Sequence, residues 1–587
     1  MKRILVGVAL GVLAACATAG GPLRESPADA RLRAIYEAEW AWRTALDPDA
    51  DEESSDDETA PRSWSKVDPA SQAERHAYMK DVIAKLDALD VATLSPEAQI
   101  NLAIYRDQIE VRIAQIDFRE YEKPLNADTT FWTSVAAYGP RAFSSEKQAR
   151  AWIERLNDVP RYFAEQTANM RLGLARGFTP PRVTLDGRTA SISSVYEGKT
   201  PEQSSFYEPF LSLPASIPAA TRAELQTQAK AAIADKVFPA YRALLPFFRD
   251  EYLPKTTTEI AATKLPDGEA YYAAQIREYT TLKLSPDEIH QIGLSEVAKI
   301  RARMNDVTKE AGFNGDLPAF LAFLRADPRF YAKTPDELLM RAAWIAKKFD
   351  GKAKYFFGRL PRSRFGVVPV PDDIAPFYTA GRGGPGQYLV NTYNLPSRAL
   401  YSLPALTLHE GAPGHAFQMP LADEHEGMPD FRRKTYISAF GEGWALYCEL
   451  LGEEMELYET PYEKFGMLSY QMWRAARLVV DTGIHAKGWT RDQGQAFFRE
   501  NTALAEHEIT TEVDRYISWP AQSLSYYLGE MAIVEARKKA EAALGAKFDI
   551  RNFHDTVLHL GSAPLPVLKA HIDRFIADGG PDPYKQR

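Results

Sequence analysis

The segment Thr407-Leu408-His409-Glu410-Gly411-Ala412-Pro413-Gly414-His415 sets two imidazoles around one carboxylate. Imidazole and carboxylate side chains are the donors of catalytic zinc, and an adjoining Glu is placed to take a proton from water. In an ordinary zinc-binding helix the two histidines stand four residues apart and share a face. Here they are six apart. On an undistorted helix that is about 600° of rotation, leaving the side chains about 120° apart. Pro413 lacks the N–H that would bond the carbonyl of His409, and its ring clashes with that turn. Gly414 permits backbone angles closed to other residues. A local bulge that absorbs the extra residues is therefore expected to return His409 and His415 to one metal ion. The competing reading is a helix start with two surface histidines.

The third ligand is expected in Phe440-Gly441-Glu442-Gly443-Trp444-Ala445-Leu446-Tyr447-Cys448-Glu449, an apolar helical run. An unpaired carboxylate in such surroundings needs a cation or a proton. Glu442 is the first choice, flanked by two glycines; Glu449, seven residues on and on nearly the same face, is the competitor or a supporting partner. A structural Arg–carboxylate pair is the alternative for either acid. In RLVVDTGIHAKGW, Asp481 and His485 are four residues apart, so Asp481 is expected to orient His485 as an oxyanion stabiliser if the helix survives Gly483. A tyrosine of RYISWPAQSLSYYLG could supply a neutral donor for the same charge. Periodicity leaves Tyr516, Tyr526 and Tyr527 open.

Elements able to hold these groups are mostly helices. Helical patterns cover ARLRAIYEAEWAWRTAL, residues 71–122, 145–173, 221–247, 285–308 and 334–348, and nearly everything after Ser402 as far as Ala577. Ser95-Pro96-Glu97 and Ser285-Pro286-Asp287-Glu288 are helix starts with Pro in the first turn. Pro180 to Pro214 lacks a hydrophobic period and reads as a long surface excursion. Phe365 to Leu400 is rich in Val, Pro, Tyr and Gly and reads as short strands, with QYLVNTY as an edge free to pair with another chain. The run Gly381-Arg382-Gly383-Gly384-Pro385-Gly386 has no following Lys-Ser/Thr, so it is a turn beside a cleft rather than a phosphate cradle.

The chain has 587 residues, 45% of them hydrophobic and 25% charged, with a formal net charge of -9. That is enough to bury a large core, and it offers no bulk basic field for nucleic acid. Lys2 and Arg3, an apolar run from Ile4, and Leu13-Ala14-Ala15-Cys16 have the layout of an export signal ending in a bacterial lipobox, with secretion by cleavage at a nearby small residue as the alternative. The signal with its lipidated Cys16 occupies residues 1–16, and a helix with an acidic spacer (Asp47 to Pro61) occupies 17–70. A single catalytic domain follows over 71–587. Of the two cysteines only Cys448 would remain, so no intramolecular disulfide and no thiolate metal site can form.

The ordered blocks TLHEGAPGHAFQ, FGEGWALYCE, RLVVDTGIHAKGW, RYISWPAQSLSYYLG and FHDTVLHLGSAPLPVL resemble the bacterial DUF885 family, related to gluzincin-type metallopeptidases. The resemblance runs from about residue 70 to 575, and it departs from the family where Ala521 replaces a usual Gly. It implies a mainly α fold, a large helical metallopeptidase-like body with a small β-sheet beside the active-site cleft. It implies Zn²⁺ held by His409, His415 and Glu442, with Glu410 as general base and His485 and Tyr526 as oxyanion donors. QYLVNTY would align a peptide substrate. Peptide hydrolysis is the leading expectation; a metal-dependent amidase of small molecules and an inactive substrate-binding lipoprotein are the alternatives. Ala17 after the cysteine resembles lipoproteins bound for the periplasmic face of the outer membrane, which would place this chain in the bacterial cell envelope. Cys16→Ser should abolish acylation, and mass spectrometry of the mature N-terminus checks it. A free terminus generated downstream of Cys16 would reject the anchor.

Overall fold

Capping chemistry sets the helix starts. In the computed structural model, which describes residues 25–46, 60–140, 142–372 and 375–585, the Ser95 hydroxyl accepts from the Ala98 N–H at the head of helix Pro96–Asp117. Ser285 with Glu288 and Thr460 with Glu463 form reciprocal caps on helices Pro286–Glu310 and Pro461–Lys487. The lipobox lies outside the described residues, as does most of the acidic segment.

The fold is mainly helical with one small sheet among the described residues. The helical spans expected at 145–173 and 334–348 run longer, as Glu146–Arg176 and Pro335–Phe356. Helix Pro461–Lys487 continues unbroken through Gly483, where the ring of Trp489 lies 2.6 Å from the position a Cβ would take and so requires a glycine. Its residues from Phe465 to His485 are all buried, so tertiary packing outweighs the local cost of the glycine.

The buried apolar residues form two large clusters. One, drawn mainly from residues 125–252, includes Trp132, Phe163 and Tyr241; the other holds the elements of the candidate site. Residues 180–214 run over the surface but are anchored to it. They form short helical turns, and Leu185, Ile192, Phe206 and Phe210 enter the first cluster. Phe206 stacks on Trp152 and Phe210 packs on Phe143, contacts too far apart in sequence to leave a period.

The sheet has order β1-β3-β2, with β1 Gly366–Pro369, β2 Gly381–Gly384 and β3 Gln387–Val390. β1 runs parallel to β3 (Gly366 opposite Gln387) and β2 antiparallel to it (Gly383 opposite Tyr388). QYLVNTY therefore lies in the middle, paired on both sides, and is not the free edge. The edges are β1 and the glycine-rich β2.

No described helix is long and apolar enough to cross a membrane. Helices Ser438–Glu454 and Ser525–Leu544 touch backbone to backbone: a Cβ on Gly443 would lie 2.5 Å from the Cα of Gly529, and one on Gly529 would lie 2.0 Å from the Ala439 carbonyl oxygen. This crossing brings Glu442 and Tyr526 to the same part of the core. Gly529→Ala cannot be relieved by a rotamer change. It should cost about 1–3 kcal/mol, the range for overpacking, measured by denaturant unfolding. An unchanged midpoint would mean that the helices do not cross so closely.

Candidate metal centre

The two histidines lie on two separate helices, and this corrects the expected bulge. Helix Leu403–Glu410 ends at Gly411 and helix His415–Asp423 begins after Gly414. Between them the Gly411 N–H bonds the Thr407 carbonyl at 2.9 Å and the Gly414 N–H bonds the Leu408 carbonyl at 3.0 Å. The Ala412–Pro413 peptide is cis, and the Pro413 carbonyl accepts from the Trp444 indole at 2.8 Å. Gly414 is required at the break, since a Cβ there would fall 1.8 Å from the carbonyl oxygen of His409.

The break brings the side chains together. Ligand-capable atoms of His409, Glu410 and His415 lie within 4.8 Å of one another, a cluster able to coordinate a metal ion. From the next long helix, Glu442 reaches in: its Oε2 is 3.4 Å from Nε2 of His409 and 3.4 Å from Nε2 of His415. Burial alone would raise the Glu442 carboxyl, but hydrogen bonds to His409 and His415 hold it well below the usual range. Burial likewise pushes the His409 imidazole down, while Glu442 and Glu449 outweigh it and bring it up to about 10.

Glu449 is the supporting partner. Its Oε1 meets Nδ1 of His409 at 2.8 Å, so Nδ1 carries the proton and Nε2 faces Glu442 and His415. Behind it stands Arg474, with Nη2 3.7 Å from the same Oε1. Glu410 is held differently. Its Oε2 accepts the Gly383 N–H of β2 at 2.7 Å, and only a glycine allows that strand so close, because a Cβ at residue 383 would lie 1.7 Å from the Glu410 carbonyl oxygen. The glycine-rich turn is thus part of the site.

Of the three tyrosines left open by sequence, Tyr526 lies at the cluster, its ring nearly parallel to that of His409 with centroids 6.4 Å apart. Its hydroxyl accepts a long contact from Arg515 at 3.5 Å and remains free to donate. Tyr516 donates to Glu512 and Tyr527 to Glu296. Sequence reasoning missed Tyr436, whose ring centroid is 6.3 Å from that of His415. Its one signal is the position just before the Glu442 helix.

His485 is not brought into the cluster. Its Nδ1 accepts the Ala262 N–H at 2.9 Å, so the proton is on Nε2, which donates to the Tyr516 carbonyl at 3.0 Å. Both ring nitrogens are occupied in a fully buried side chain, and burial lowers its proton affinity. Nor does Asp481 orient it. Asp481 accepts from the Tyr272 hydroxyl (2.7 Å), the Ser523 hydroxyl (2.9 Å) and the Ala521 N–H (3.1 Å). Ala521 sits at φ 65°, the left-handed region, which explains why a glycine suits that position.

A ligand histidine must be neutral to bind metal, so loading near neutral pH should release about one proton from His409, and affinity should rise with pH toward 10. Glu449→Gln removes the carboxylate behind His409. It should weaken metal binding by about 10–100-fold and reduce the proton release. Calorimetric titration in two buffers of different ionisation enthalpy reads both. Unchanged affinity would show that Glu449 has only a packing role.

Among curated proteins none matches the sequence. The solved structure of a "putative lipoprotein from Colwellia psychrerythraea" is similar at 27% identity and TM-score 0.81, covering 87% of this chain and 92% of that one. A "putative lipoprotein of unknown function from Shewanella oneidensis" shares the fold at 17% identity and TM-score 0.68, covering 93% of this chain and 99% of that one. The model of the family described as "Bacterial protein of unknown function (DUF885)" matches residues 53–572, and the chain belongs to that family.

Proposed function

We propose that this protein is a zinc-dependent peptidase, with His409, His415 and Glu442 as metal ligands. The observation that carries the reading is the position of Glu442 Oε2, 3.4 Å from each histidine Nε2. Donors bonded to one tetrahedral zinc at about 2.1 Å stand roughly 3.4 Å apart. Two imidazoles and one carboxylate are also the donor set of hydrolytic zinc sites. The bound ion would polarise a carbonyl and lower the pKa of water.

The chain's own groups supply the rest. Glu410 is fixed through Oε2 by the Gly383 N–H, which leaves Oε1 to take a proton from water and to pass it to the departing amine. Tyr526 beside His409 has a hydroxyl able to donate to a developing oxyanion, while that of Tyr436 beside His415 hydrogen-bonds Glu442. His485, with both nitrogens engaged, has no part in this step. The peptide reading is favoured by β2. Its Gly383 N–H points away from β3 toward Glu410, and by strand alternation Gly381 faces the same way. The Gly383 N–H is already given to Glu410, so an extended chain would pair with the edge at Gly381. Export and lipidation at Cys16 would put the enzyme in the cell envelope, and the description of the Colwellia relative as a putative lipoprotein supports that reading.

Glu410→Gln should keep about one zinc per chain and the wild-type unfolding midpoint while losing roughly 10²–10⁴ in kcat. Metal analysis and a peptide-library digest test this together. Near-normal turnover by the metal-loaded variant would remove Glu410 from the base role, and a wild-type protein without zinc would sink the reading.

A further inference from the structure

A cavity of about 170 Å³ opens beside the sheet, lined by Ala380 and Val390 at the sheet's end and by Leu403 and Leu406 of the His409 helix. Its polar lining has an anomaly. Arg398 makes no side-chain hydrogen bond or ion pair among the described residues, and its Nε is buried without a partner. The Ser469 hydroxyl, 6% exposed, is likewise buried and unpartnered. Arg398 as a whole is half-buried, so water reaches the guanidinium tips while Nε stays unpaired, and a cation held this way is open to an anion.

The acid that faces the cavity does not fill that need. Glu508 lines it, yet burial and the nearby Glu512 push its carboxyl up to about 7, against the pull of Arg398, Arg474 and Arg477. Around neutral pH much of Glu508 is protonated, and the cationic side predominates. Arg474, 4% exposed, adds to it: Nε and Nη1 have no partner, and its nearest carboxylate, Glu449 at 3.7 Å, is already bonded to His409.

Resting on the peptidase reading, we propose that this cavity is a specificity subsite for a carboxylate of the substrate, paired by Arg398 and hydrogen-bonded by Ser469. A guanidinium offers donors only and a hydroxyl can donate, which suits the acceptors of a carboxylate, and Leu338, Leu403 and Leu406 give the aliphatic part of the bound residue an apolar wall. The route is the outward edge of β2. From Gly383, which touches Glu410, to Ala380 at the cavity is three residues, about 10 Å of extended chain. The carboxylate therefore sits two or three residues from the cleaved bond. Its source is the free C-terminus of a short peptide or an acidic side chain at that position.

The test compares zinc-loaded wild type, Arg398→Gln and Arg398→Lys on matched acetylated peptides. One pair ends in a free carboxylate or a carboxamide. A second pair is amidated and carries Asp or Asn two or three residues from the cleaved bond. Wild type should show a KM about 10–100-fold lower for a carboxylate member, the span of a hydrogen bond to a charged group, with similar kcat. Arg398→Gln should erase the preference by raising KM for the carboxylate member to that of its amide partner, and Arg398→Lys should restore part of it. The pair that responds names the source. Equal KM for acid and amide in both pairs, or a preference that survives Arg398→Gln at an unchanged unfolding midpoint, overturns the subsite. If no peptide is cleaved, calorimetric binding of the same pairs separates the two claims. Carboxylate-selective binding lost in Arg398→Gln upholds the subsite and sinks the peptidase, whereas binding without discrimination sinks the subsite.

Discussion

One carboxylate oxygen between two imidazole nitrogens is the interaction on which the rest of this site depends. Glu442 enters from an apolar helix where an isolated negative charge would be costly, and His409 and His415 offset that cost. The arrangement works with a proton or with a metal ion as the shared positive charge. Without metal, Glu442 and Glu449 keep a proton on His409. Under the metal reading proposed above, the same three atoms would become ligands, and metal and proton would compete for one position, coupling metal loading to pH.

Backbone contact, more than side-chain packing, gives the site its dimensions. The chain breaks between two short helices so that histidines six residues apart can converge, and Gly414 lets the break fold back on the His409 carbonyl. Gly383 brings β2 against Glu410, and Gly443 with Gly529 lets two long helices touch. At each place a methyl group would collide with backbone, which cannot move aside as a side chain can. This explains the glycines beside the acidic residues: they let whole elements approach until carboxylates meet imidazoles.

Behind the ligands lies a layer of charge that is only partly matched. Glu449 holds His409, Arg474 stands behind Glu449, and Glu512 is shared by Arg477 at 2.9 Å and Arg515 at 3.6 Å. Arg477 also stacks on Tyr526, its guanidinium 4.4 Å from the ring centroid. The layer positions the histidine and tyrosine of the site and leaves guanidinium donors over, in contrast with the reciprocally capped helix ends elsewhere in the fold.

By itself the sequence determined the mainly helical class, the capped starts at Ser95 and Ser285, and the His409–Glu410–His415 cluster with Glu442 as an acid in an apolar helix in need of a partner. These follow from physics local to the chain: capping within one turn, apolar period, and the cost of burying charge. Tertiary structure alone decided that β3 is central rather than an edge, that residues 180–214 send Leu185, Ile192, Phe206 and Phe210 into a core, that His485 bonds only main chain, and that Tyr436 stands beside His415. It also divided the work between Glu442 and Glu449, which share nearly one helix face and differ only in what is packed opposite. Each of these outcomes is a contact between segments tens to hundreds of residues apart. The partner of a side chain is set there by how elements dock, and neither spacing nor periodicity along one element carries that information.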